Sequence, residues 1–490
     1  MKKTLVALAT LAVAGGAFAQ SGNARAIDAS GVTLFGVADI SVTQFNQDGA
    51  GSATRMQGEG RNESSRLGLR GVEDIGGGWG AGFWFEAGVF YEQGIGQTST
   101  ANNTSIGQNG ISAGTNNSNA LPDVVSNGGS QGLTFNRASV LSLLHKDLGE
   151  LRLGRDYTPT FWNLTYFDPF GTVGVGGHTN VALGMLNVRP VVAPPGNPSP
   201  QVRTSNSIGW LSQDFSGFRA QVQYALSEQI SNCTDLKTGG NVDAGGNLCQ
   251  APAGDGKYMG TRLQYNSGPL SLAAAYGKTT YAGAPVVSAA APVTSTASAY
   301  VGDYKAMNLA GAYTIGATKL MAQYGKQTVG DYAVGYAAGG TNTALTAGNG
   351  AWTNGAAAGA FTNGGIQSVT QRTVSHNLLG LTHAIGALTL KASYSQAKMT
   401  GGQASNSGAN AGAGVNKAIA NIEDGAKQQM TAVGAVYDLS KRTAVYGTYS
   451  TLKTTGQNAR SSLGIASSAN LNAGDSVTAT GLDVGVRHRF

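Results

Sequence analysis

The sequence predicts an all-β protein, a transmembrane antiparallel β-barrel of sixteen strands. Three observations lead to this fold class. Apolar and polar residues alternate with a period of two in many segments, short turns alternate with long polar loops, and no segment offers eighteen or more consecutive apolar residues. If the chain lies in a membrane, it must therefore cross it with strands that close into a barrel.

The alternation is clearest in four segments. The odd positions from Trp79 and the even positions from Phe218 are mostly apolar, and the segment after Gly386 follows the same rule. Near the C-terminus, apolar residues alternate with Asp483, Gly485, Arg487 and Arg489. Because successive side chains of a strand point to opposite faces, each segment has one apolar face and one polar or glycine-rich face.

Short turns join the alternating segments in pairs, and long loops separate the pairs. Seven turns predict fourteen strands, and one further strand at each end, Val32–Phe45 and Asp475–Phe490, completes sixteen. A barrel of this size encloses an aqueous channel. A solenoid would show a fixed repeat length, and a sandwich would not need eight long loops. The turns are Asp74 to Trp79, Asp147 to Glu150, Asp214 to Gly217, Ser267 to Leu270, Ile315 to Thr318, Ile385 to Leu388 and Leu439 to Arg442; the loops are 46–63, 94–132, 158–202, 228–256, 281–302, 328–371, 399–426 and 456–474.

The composition supports strands that face lipid on one side and water on the other. Charged residues make up 12% of the chain, about half the usual share, while glycine fills 74 of 490 positions. The net charge of +6 is spread along the chain and is too diffuse to indicate nucleic-acid binding. A soluble enzyme of this length would carry more charge and more helical periodicity.

The N-terminus has the three parts of a secretory signal peptide. Lys2 and Lys3 precede an apolar stretch from Leu5 to Val13, and small residues around Phe18 follow it. We expect residues 1–19 to be removed and residues 20–490 to form one barrel domain. In such an exported protein, Cys233 and Cys249 are expected to form a loop disulfide rather than a metal or catalytic site.

Alternation also predicts which arginines point into the barrel. Leu67 and Leu69 on the lipid side turn Arg66 and Arg70 inward. The same reasoning turns Arg152 inward between Leu151 and Leu153, and Arg203 inward near Ile208 and Trp210. Arg137 is not placed in this way, because its segment Phe135 to Leu144 is apolar on both faces.

An ordered set of motifs resembles the general diffusion porins of Gram-negative bacteria, particularly the neisserial and burkholderial type. No single motif is specific, but together they span both ends of the chain in order. They are Val32 to Asp39, Ser65 to Asp74 with Gly76 to Gly78, Leu153 to Pro159 with Asp168 to Gly171, Asn206 to Ile208, and Val486 to Phe490.

The resemblance implies a homotrimer whose third loop, roughly residues 158–202, folds into the barrel and narrows it. It implies that Arg66, Arg137 and Arg203 form a basic cluster opposite that loop, with Asp156 and Asp168 on the acidic side. It also implies that Phe490 is the assembly signal read by the barrel-insertion machinery, the alternative being a last lipid-facing aromatic residue. The long second and sixth loops and the proline-rich stretch from Arg189 to Pro200 depart from the family pattern.

These features predict passive diffusion of small hydrophilic solutes and ions across the outer membrane, with weak anion preference. The partners expected are a second and third copy of the chain, outer-membrane lipids and the assembly machinery, with no nucleic acid. A substrate-specific channel or a surface-binding barrel remains an alternative. No catalytic set, metal site or cofactor is expected, because the five histidines are scattered and the glycine-rich segment 171–177 lacks the helix and lysine of a phosphate-binding loop.

Overall fold

The computed structural model describes most of the chain outside the N-terminus and the longer loops. The described residues are 31–49, 51–97, 132–187, 202–227, 256–280, 298–330, 332–338, 363–369, 371–407, 417–421, 424–456, 463 and 475–490. The predicted signal peptide, Cys233 and Cys249, and the stretch from Arg189 to Pro200 lie outside the described residues, so those predictions remain untested. Within the described part of the chain, no helix is both long and apolar enough to cross a bilayer.

The strands form a closed antiparallel barrel of sixteen strands, which confirms the predicted fold class. Each of the seven predicted turns joins two of these strands. In chain order they are β1 (Gly31–Gln47), β2 (Arg66–Gly76), β3 (Trp79–Phe90), β4 (Ala138–His145), β5 (Gly149–Tyr157), β6 (Arg203–Leu211), β7 (Phe218–Ala225), β8 (Lys257–Ser267), β9 (Leu270–Thr280), β10 (Tyr304–Ile315), β11 (Thr318–Val329), β12 (Arg372–Ile385), β13 (Leu388–Gly401), β14 (Lys427–Asp438), β15 (Thr443–Thr455) and β16 (Ser476–Arg489).

The barrel closes where the first strand meets the last. β1 pairs with β16 from Val37 opposite Arg489 to Gln47 opposite Ala479, and it pairs with β2 on its other side. Beyond the end of β16, Phe490 and Gly36 exchange two backbone hydrogen bonds of 3.0 and 3.1 Å. A Cβ atom at position 36 would lie 2.3 Å from the Phe490 ring, so the seam requires glycine there.

The two faces of the strands follow the predicted alternation. On β16, Val484 and Val486 are exposed on the outside, whereas Asp483 is fully buried and Arg487 nearly so on the inside. On β7, Val222 and Tyr224 are exposed while Gln221 is buried. The outward apolar rows face hydrocarbon, and the inward rows carry the polar side chains that can line an aqueous lumen.

Several of the long loops contain strands that the sequence did not predict. Gly51–Gln57 in the first loop folds back antiparallel onto the outer half of β1. Five short strands from the fifth, sixth and seventh loops form a separate antiparallel sheet. The sequence analysis treated these segments as loops without strands of their own, because runs of small residues carry too weak an alternation to predict strands. The five are Ser298–Val301, Tyr332–Ala338, Asn363–Val369, Gln403–Ser407 and Lys417–Asn421.

The described part of the third loop, residues 158–187, contains three helices, α1 (Pro159–Tyr166), α2 (Thr179–Ala182) and α3 (Gly184–Asn187). The Thr158 hydroxyl caps α1 by accepting a hydrogen bond from the Phe161 backbone N–H at 3.3 Å, and Pro159 occupies the first turn. α1 ends before the Asp168-Pro169 pair, where proline cannot continue a helix. The helix is therefore bounded by its own sequence signals.

A charge introduced on the outer face should distinguish a membrane barrel from a water-soluble one. Leu309, in the middle of β10, is 53% exposed, and Leu439, in a short turn, is 59% exposed. We expect Leu309→Arg to lower the free energy of unfolding by about 2–4 kcal/mol and Leu439→Arg by at most about 1 kcal/mol, since the cost depends on depth in the bilayer. Urea titration in phospholipid vesicles measures both values. Equal costs for the two variants would contradict a lipid-facing β10.

Candidate functional site

The third loop lies inside the barrel against one arc of its wall. α1 packs on β8, β9 and β10. The Asn308 amide donates to the Thr160 carbonyl at 2.9 Å, and the Gln323 amide donates to the Leu164 carbonyl at 3.1 Å. Lumen-facing amides thus hold the backbone of the loop, and the inward course predicted for residues 158–202 is observed over its described part.

The middle of the loop continues along the wall to the last strand. The Gln327 amide donates to the Ala182 carbonyl at 2.9 Å, and the Val175 N–H donates to the Asp483 carboxylate at 2.9 Å. The loop therefore covers the arc from β8 to β16. The side chains of β2 to β6, on the remaining arc, face what is left of the lumen.

Asp168 organises this loop from within. Its carboxylate accepts hydrogen bonds from the backbone N–H groups of Phe170, Thr172 and His178 at 2.8–2.9 Å. Burial raises the pKa of Asp168 above its ordinary value, although these hydrogen bonds oppose the shift. The geometry thus gives Asp168 a role in shaping the loop, and its carboxylate points into the loop rather than into the open lumen.

A pair of histidines ties the loop to β12 and β13. His178 is fully buried, its Nδ1 lies 3.0 Å from the Ser395 hydroxyl, and its Nε2 lies 3.0 Å from His376 Nδ1. Burial, with a smaller contribution from the neighbouring His376, lowers the pKa of His178 well below its ordinary value. A neutral His178 is therefore part of the packed arrangement.

Three of the predicted arginines come together on the opposite arc, around Glu86 and Tyr157. Arg137 Nε donates to Glu86 at 2.5 Å, and Arg66 Nε lies 3.9 Å from the same carboxylate. Arg137 and Arg203 both donate to the Tyr157 hydroxyl, at 2.7 and 2.8 Å. We call Arg66, Arg137, Arg155 and Arg203 the arginine cluster.

Tyr157 orients the cluster in a second way. The Arg203 guanidinium lies 4.4 Å from the centre of the Tyr157 ring, a cation–π contact. The Arg137 guanidinium lies 6.0 Å from the same ring centre, so a single phenol accepts two charged hydrogen bonds at its oxygen and presents its ring to both donors. Because the guanidinium groups would otherwise repel one another, Tyr157 and Glu86 are what allow them to lie close together.

Arg155 belongs to the cluster but was missed by sequence reasoning. Strict alternation from Leu151 and Leu153 would turn Arg155 toward lipid. Instead the register of β5 against β6 shifts between Gly154 and Asp156, and Gly154 has a φ of 128°. This bulge turns Arg155 inward, where it donates to Ser205 at 2.7 Å and to the Asn136 carbonyl at 2.6 Å. The sequence did hold a signal for this bulge: a glycine directly before an arginine that strict alternation would turn toward lipid.

Glu63 of the first loop links the cluster to the seam of the barrel. Its carboxylate accepts from Arg66 at 2.6 Å and from Arg489 at 2.7 Å, and Arg487 Nε lies 3.9 Å away. Burial of Glu63 would raise its pKa, but the three guanidinium groups outweigh burial and the pKa lies below its ordinary value. Sequence reasoning missed Glu63, because it lies in a loop where alternation does not apply.

The other predicted residues lie outside this cluster. Arg152 is buried and paired with Glu150 at 2.9 Å and Asp156 at 3.0 Å, so Asp156 neutralises a neighbour on its own strand. Arg70 lies inside the barrel over the rings of Phe35 and Trp84, at 5.5 and 5.3 Å from their centres. Asp156 and Asp168 therefore each have local partners, and neither is paired across the lumen with the arginine cluster.

The chain belongs to the Gram-negative porin family, whose sequence model matches residues 4–457. The fold agrees with this assignment, and together they place the protein in the outer membrane of a Gram-negative bacterium. The family comprises channels rather than enzymes.

Individual relatives are similar over part of the chain or in fold alone. Outer membrane porin protein 32 of Delftia acidovorans is 34% identical over 288 residues, 58% of this chain and 62% of the relative. An outer membrane porin of Bordetella pertussis is 27% identical over 289 residues, 56% of this chain and 59% of the relative. The matches thus span less than two thirds of either relative. The solved structure of an anion-selective porin from Comamonas acidovorans has a TM-score of 0.58 at 24% identity and covers 94% of this chain and 100% of that one.

The ionised Glu63 carboxylate should make the packing of the first loop depend on pH. The pKa of Glu63 is lower in the folded state than in the unfolded chain. Ionised Glu63 therefore stabilises the fold at a pH above its unfolded-state pKa, and this contribution is lost as the pH falls through its folded-state pKa. We expect Glu63→Gln to reduce the acid dependence of the unfolding free energy, measured by urea titration from pH 7 downward. Glu73→Gln, at an exposed carboxylate of β2, is the control and should leave the acid dependence unchanged.

Proposed function

We propose that this protein is a general diffusion porin, a water-filled channel for small hydrophilic solutes and ions with a preference for anions. The observation that carries the proposal is the arginine cluster on one arc of the lumen, facing the space left by the third loop. The alternation of apolar outer and polar inner rows supports a wet interior. The description of one structural relative as anion-selective is in line with the sign of the preference.

The cluster supplies positive potential because its carboxylates do not balance its guanidinium groups. Arg66, Arg137, Arg155 and Arg203 converge there, whereas Glu86 and Glu63 are the carboxylates in ion pairs with the cluster within the described residues. Glu63 is also shared with Arg487 and Arg489 of the last strand. An anion that passes this wall is attracted, and a cation is repelled, which selects by sign without a specific binding pocket.

The third loop determines where this selection acts. It occupies the arc from β8 to β16 and is fixed there by lumen amides, by the histidine pair and by Asp483. A solute is therefore directed past the arginines of β2 to β6. Because residues 160–182 of the loop are held by the wall at several points, the channel narrows there at a fixed wall rather than at a moving gate.

The active form is, in this proposal, a homotrimer. The outward faces of β2 to β5 are apolar, and Phe83, Phe85 and Phe135 form a ladder of stacked rings with centres 5.2 and 5.1 Å apart. A rigid aromatic surface of this kind suits contact between protein copies better than contact with mobile lipid chains. The role of Phe490 as an assembly signal stays a prediction.

Anion preference should depend on the charge of the cluster. A unit charge about 8 Å from an ion in water attracts an anion and repels a cation by about 0.5 kcal/mol each, so each charge removed should lower the anion-to-cation permeability ratio about fivefold. We expect the double variant Arg66→Gln/Arg203→Gln to shift the reversal potential in a salt gradient toward zero. Planar-bilayer recording of the refolded mature protein measures it.

Two controls define the result. Arg203→Lys keeps the charge and should keep the reversal potential, and Arg442→Gln, at an exposed turn, should behave as the unmodified channel. Clear cation preference in the unmodified protein would overturn the proposal of an anion channel.

Trimerisation has a separate test in the same recordings. We expect open channels to close in three equal steps, since each copy carries its own lumen. Single-step closure, together with a monomeric mass of the detergent-solubilised barrel, would contradict the trimer.

A further inference from the structure

We infer that a row of small residues on the inner wall sets how far the third loop projects into the lumen. Gly380 on β12 and Gly481 on β16 are the two members whose missing side chains let the loop lie against the wall. They are positioning residues, because they act on the width of the channel through the loop. The inference rests on the proposed function, since the passage of solutes is what a narrower channel would change.

The strand register places the small residues at one level of the barrel. They lie side by side on five consecutive strands, and each adjoins an exposed apolar or tyrosine side chain of the outer face, so each points inward. The third loop crosses the same arc between its contacts with β11 and β16. We call these residues the small-residue row: Gly380 opposite Ser393, then Ala432, Ser450 and Gly481.

Pro169 of the third loop occupies the space that a side chain at position 380 would need. A Cβ atom at Gly380 would lie 2.5 Å from Pro169 Cγ, 2.7 Å from Pro169 Cδ and 3.3 Å from Leu378 Cδ2. Gly380 does not have the positive φ that favours glycine, so its backbone conformation would accept another residue. The loop is therefore what excludes a side chain at this position.

Val175 makes the corresponding contact at the other end of the row. A Cβ atom at Gly481 would lie 2.5 Å from Val175 Cγ1, 2.9 Å from its Cβ and 3.6 Å from its Cγ2. Gly481 also lacks a positive φ. The backbone N–H of Val175 donates to Asp483, two residues further along β16. This hydrogen bond thus holds the loop backbone at a height at which only glycine fits beneath Val175.

Between these two contacts, Phe170 lies over a third glycine of the wall. A Cβ atom at Gly434 on β14 would lie 2.9 Å from Phe170 Cε1, and the Lys391 ammonium group lies 5.7 Å from the centre of the Phe170 ring. Pro169, Phe170 and Val175 thus follow one another along the loop in the order in which their glycines follow along the wall. The matching order indicates that the glycines form one surface for the loop rather than three separate gaps.

A methyl group at either end of the row would move the loop and not the wall. Carbon atoms in contact lie about 3.5–4.0 Å apart, so a side chain at position 380 or 481 requires a shift of about 1 Å or more. β12 and β16 are each paired with a neighbouring strand on both edges, and a close-packed wall of this kind transmits the displacement. The side of the loop away from the wall faces the lumen, so the channel becomes narrower.

The test records the single-channel conductance of the refolded mature protein in planar bilayers, with Gly380→Ala and Gly481→Ala as separate variants. We expect each variant to lower the conductance, and to lower the permeability of gluconate, a large anion, more than that of chloride. The sign of the reversal potential should stay unchanged, because the arginine cluster lies on the opposite arc. A mere loss of folded protein would reduce the number of channels but not the conductance of each channel.

Truncation of the loop side chain should remove each effect in a matched pair. With Pro169→Ala, which deletes Cγ and Cδ, Gly380→Ala should no longer lower the conductance. With Val175→Gly, Gly481→Ala should likewise have no effect. The crossed combination, Gly481→Ala with Pro169→Ala, should keep the loss, because the two contacts lie at different ends of the row.

Gly209→Ala on β6 is the control for an alanine on the inner wall. Gly209 points inward between the exposed Ile208 and Trp210, and a Cβ atom there would have its nearest neighbour at 3.7 Å, so this variant should conduct as the unmodified protein does. Unchanged conductance in both glycine variants, or a loss that the matched truncation does not remove, would overturn the inference. A glycine variant that folds only together with its matched truncation would support it.

Failure of the proposed function has a different signature. It would appear as no conductance in the unmodified protein, and the inference would then be decided by the free energy of unfolding in urea. Gly380→Ala should lower that free energy more in the unmodified background than in the Pro169→Ala background. Equal effects in the two backgrounds would contradict the contact between the wall and the loop.

Discussion

The structure depends on one constraint, the lack of hydrogen-bond partners in hydrocarbon. Every strand edge that faces lipid must be paired, so the first and last strands have to meet. They do so over the whole outer half of β1, from Val37 to Gln47, and the closure continues through Phe490 to Gly36. Only glycine fits at position 36, because the aromatic ring of the last residue occupies the space of a side chain there. Because backbone hydrogen bonds between all neighbouring strands hold the barrel closed, its interior need not be an apolar core. The inward-facing side chains can therefore carry charges that the core of a water-soluble protein would not hold.

Those inner charges are arranged in two ways, which separates structural ion pairs from the arginine cluster. Arg152 is enclosed by Glu150 and Asp156, so its charge is neutralised locally. In the arginine cluster, by contrast, four guanidinium groups share the carboxylates of Glu86 and Glu63, and Tyr157 supplies a neutral oxygen and a ring to Arg137 and Arg203. A neutral partner can order guanidinium groups without cancelling their charge. In the proposed function, the resulting excess of guanidinium groups over carboxylates is what gives the wall its positive sign.

Sequence alone predicted the strands and the inward side of most side chains, because a period of two is visible wherever one face is apolar. For that reason alternation placed Arg66, Arg70 and Arg203 on the inner face, where the structure also has them. Their role in the pore stays a prediction. Sequence reasoning failed where the period is broken or absent. The bulge at Gly154 reverses the direction of Arg155, the flanking apolar segment hides the direction of Arg137, and Glu63 reaches the cluster from a loop. The short strands of the long loops were also missed, since they pair with strands of neighbouring loops and their sequences carry no clear period of two.

Glu63 contacts three arginines on two strands: Arg66, three residues further along the chain at the start of β2, and Arg487 and Arg489 at the distant end of β16. The last two arginines take their positions only when β16 has joined β1. Until then, Glu63 lacks two of its three cationic partners, and the first loop has no full set of contacts to hold it at the arginine cluster. The pairing of β1 with β16 therefore closes the barrel and completes the charge pattern of the pore in the same step. A barrel that is still open would lack the complete set of contacts around the arginine cluster.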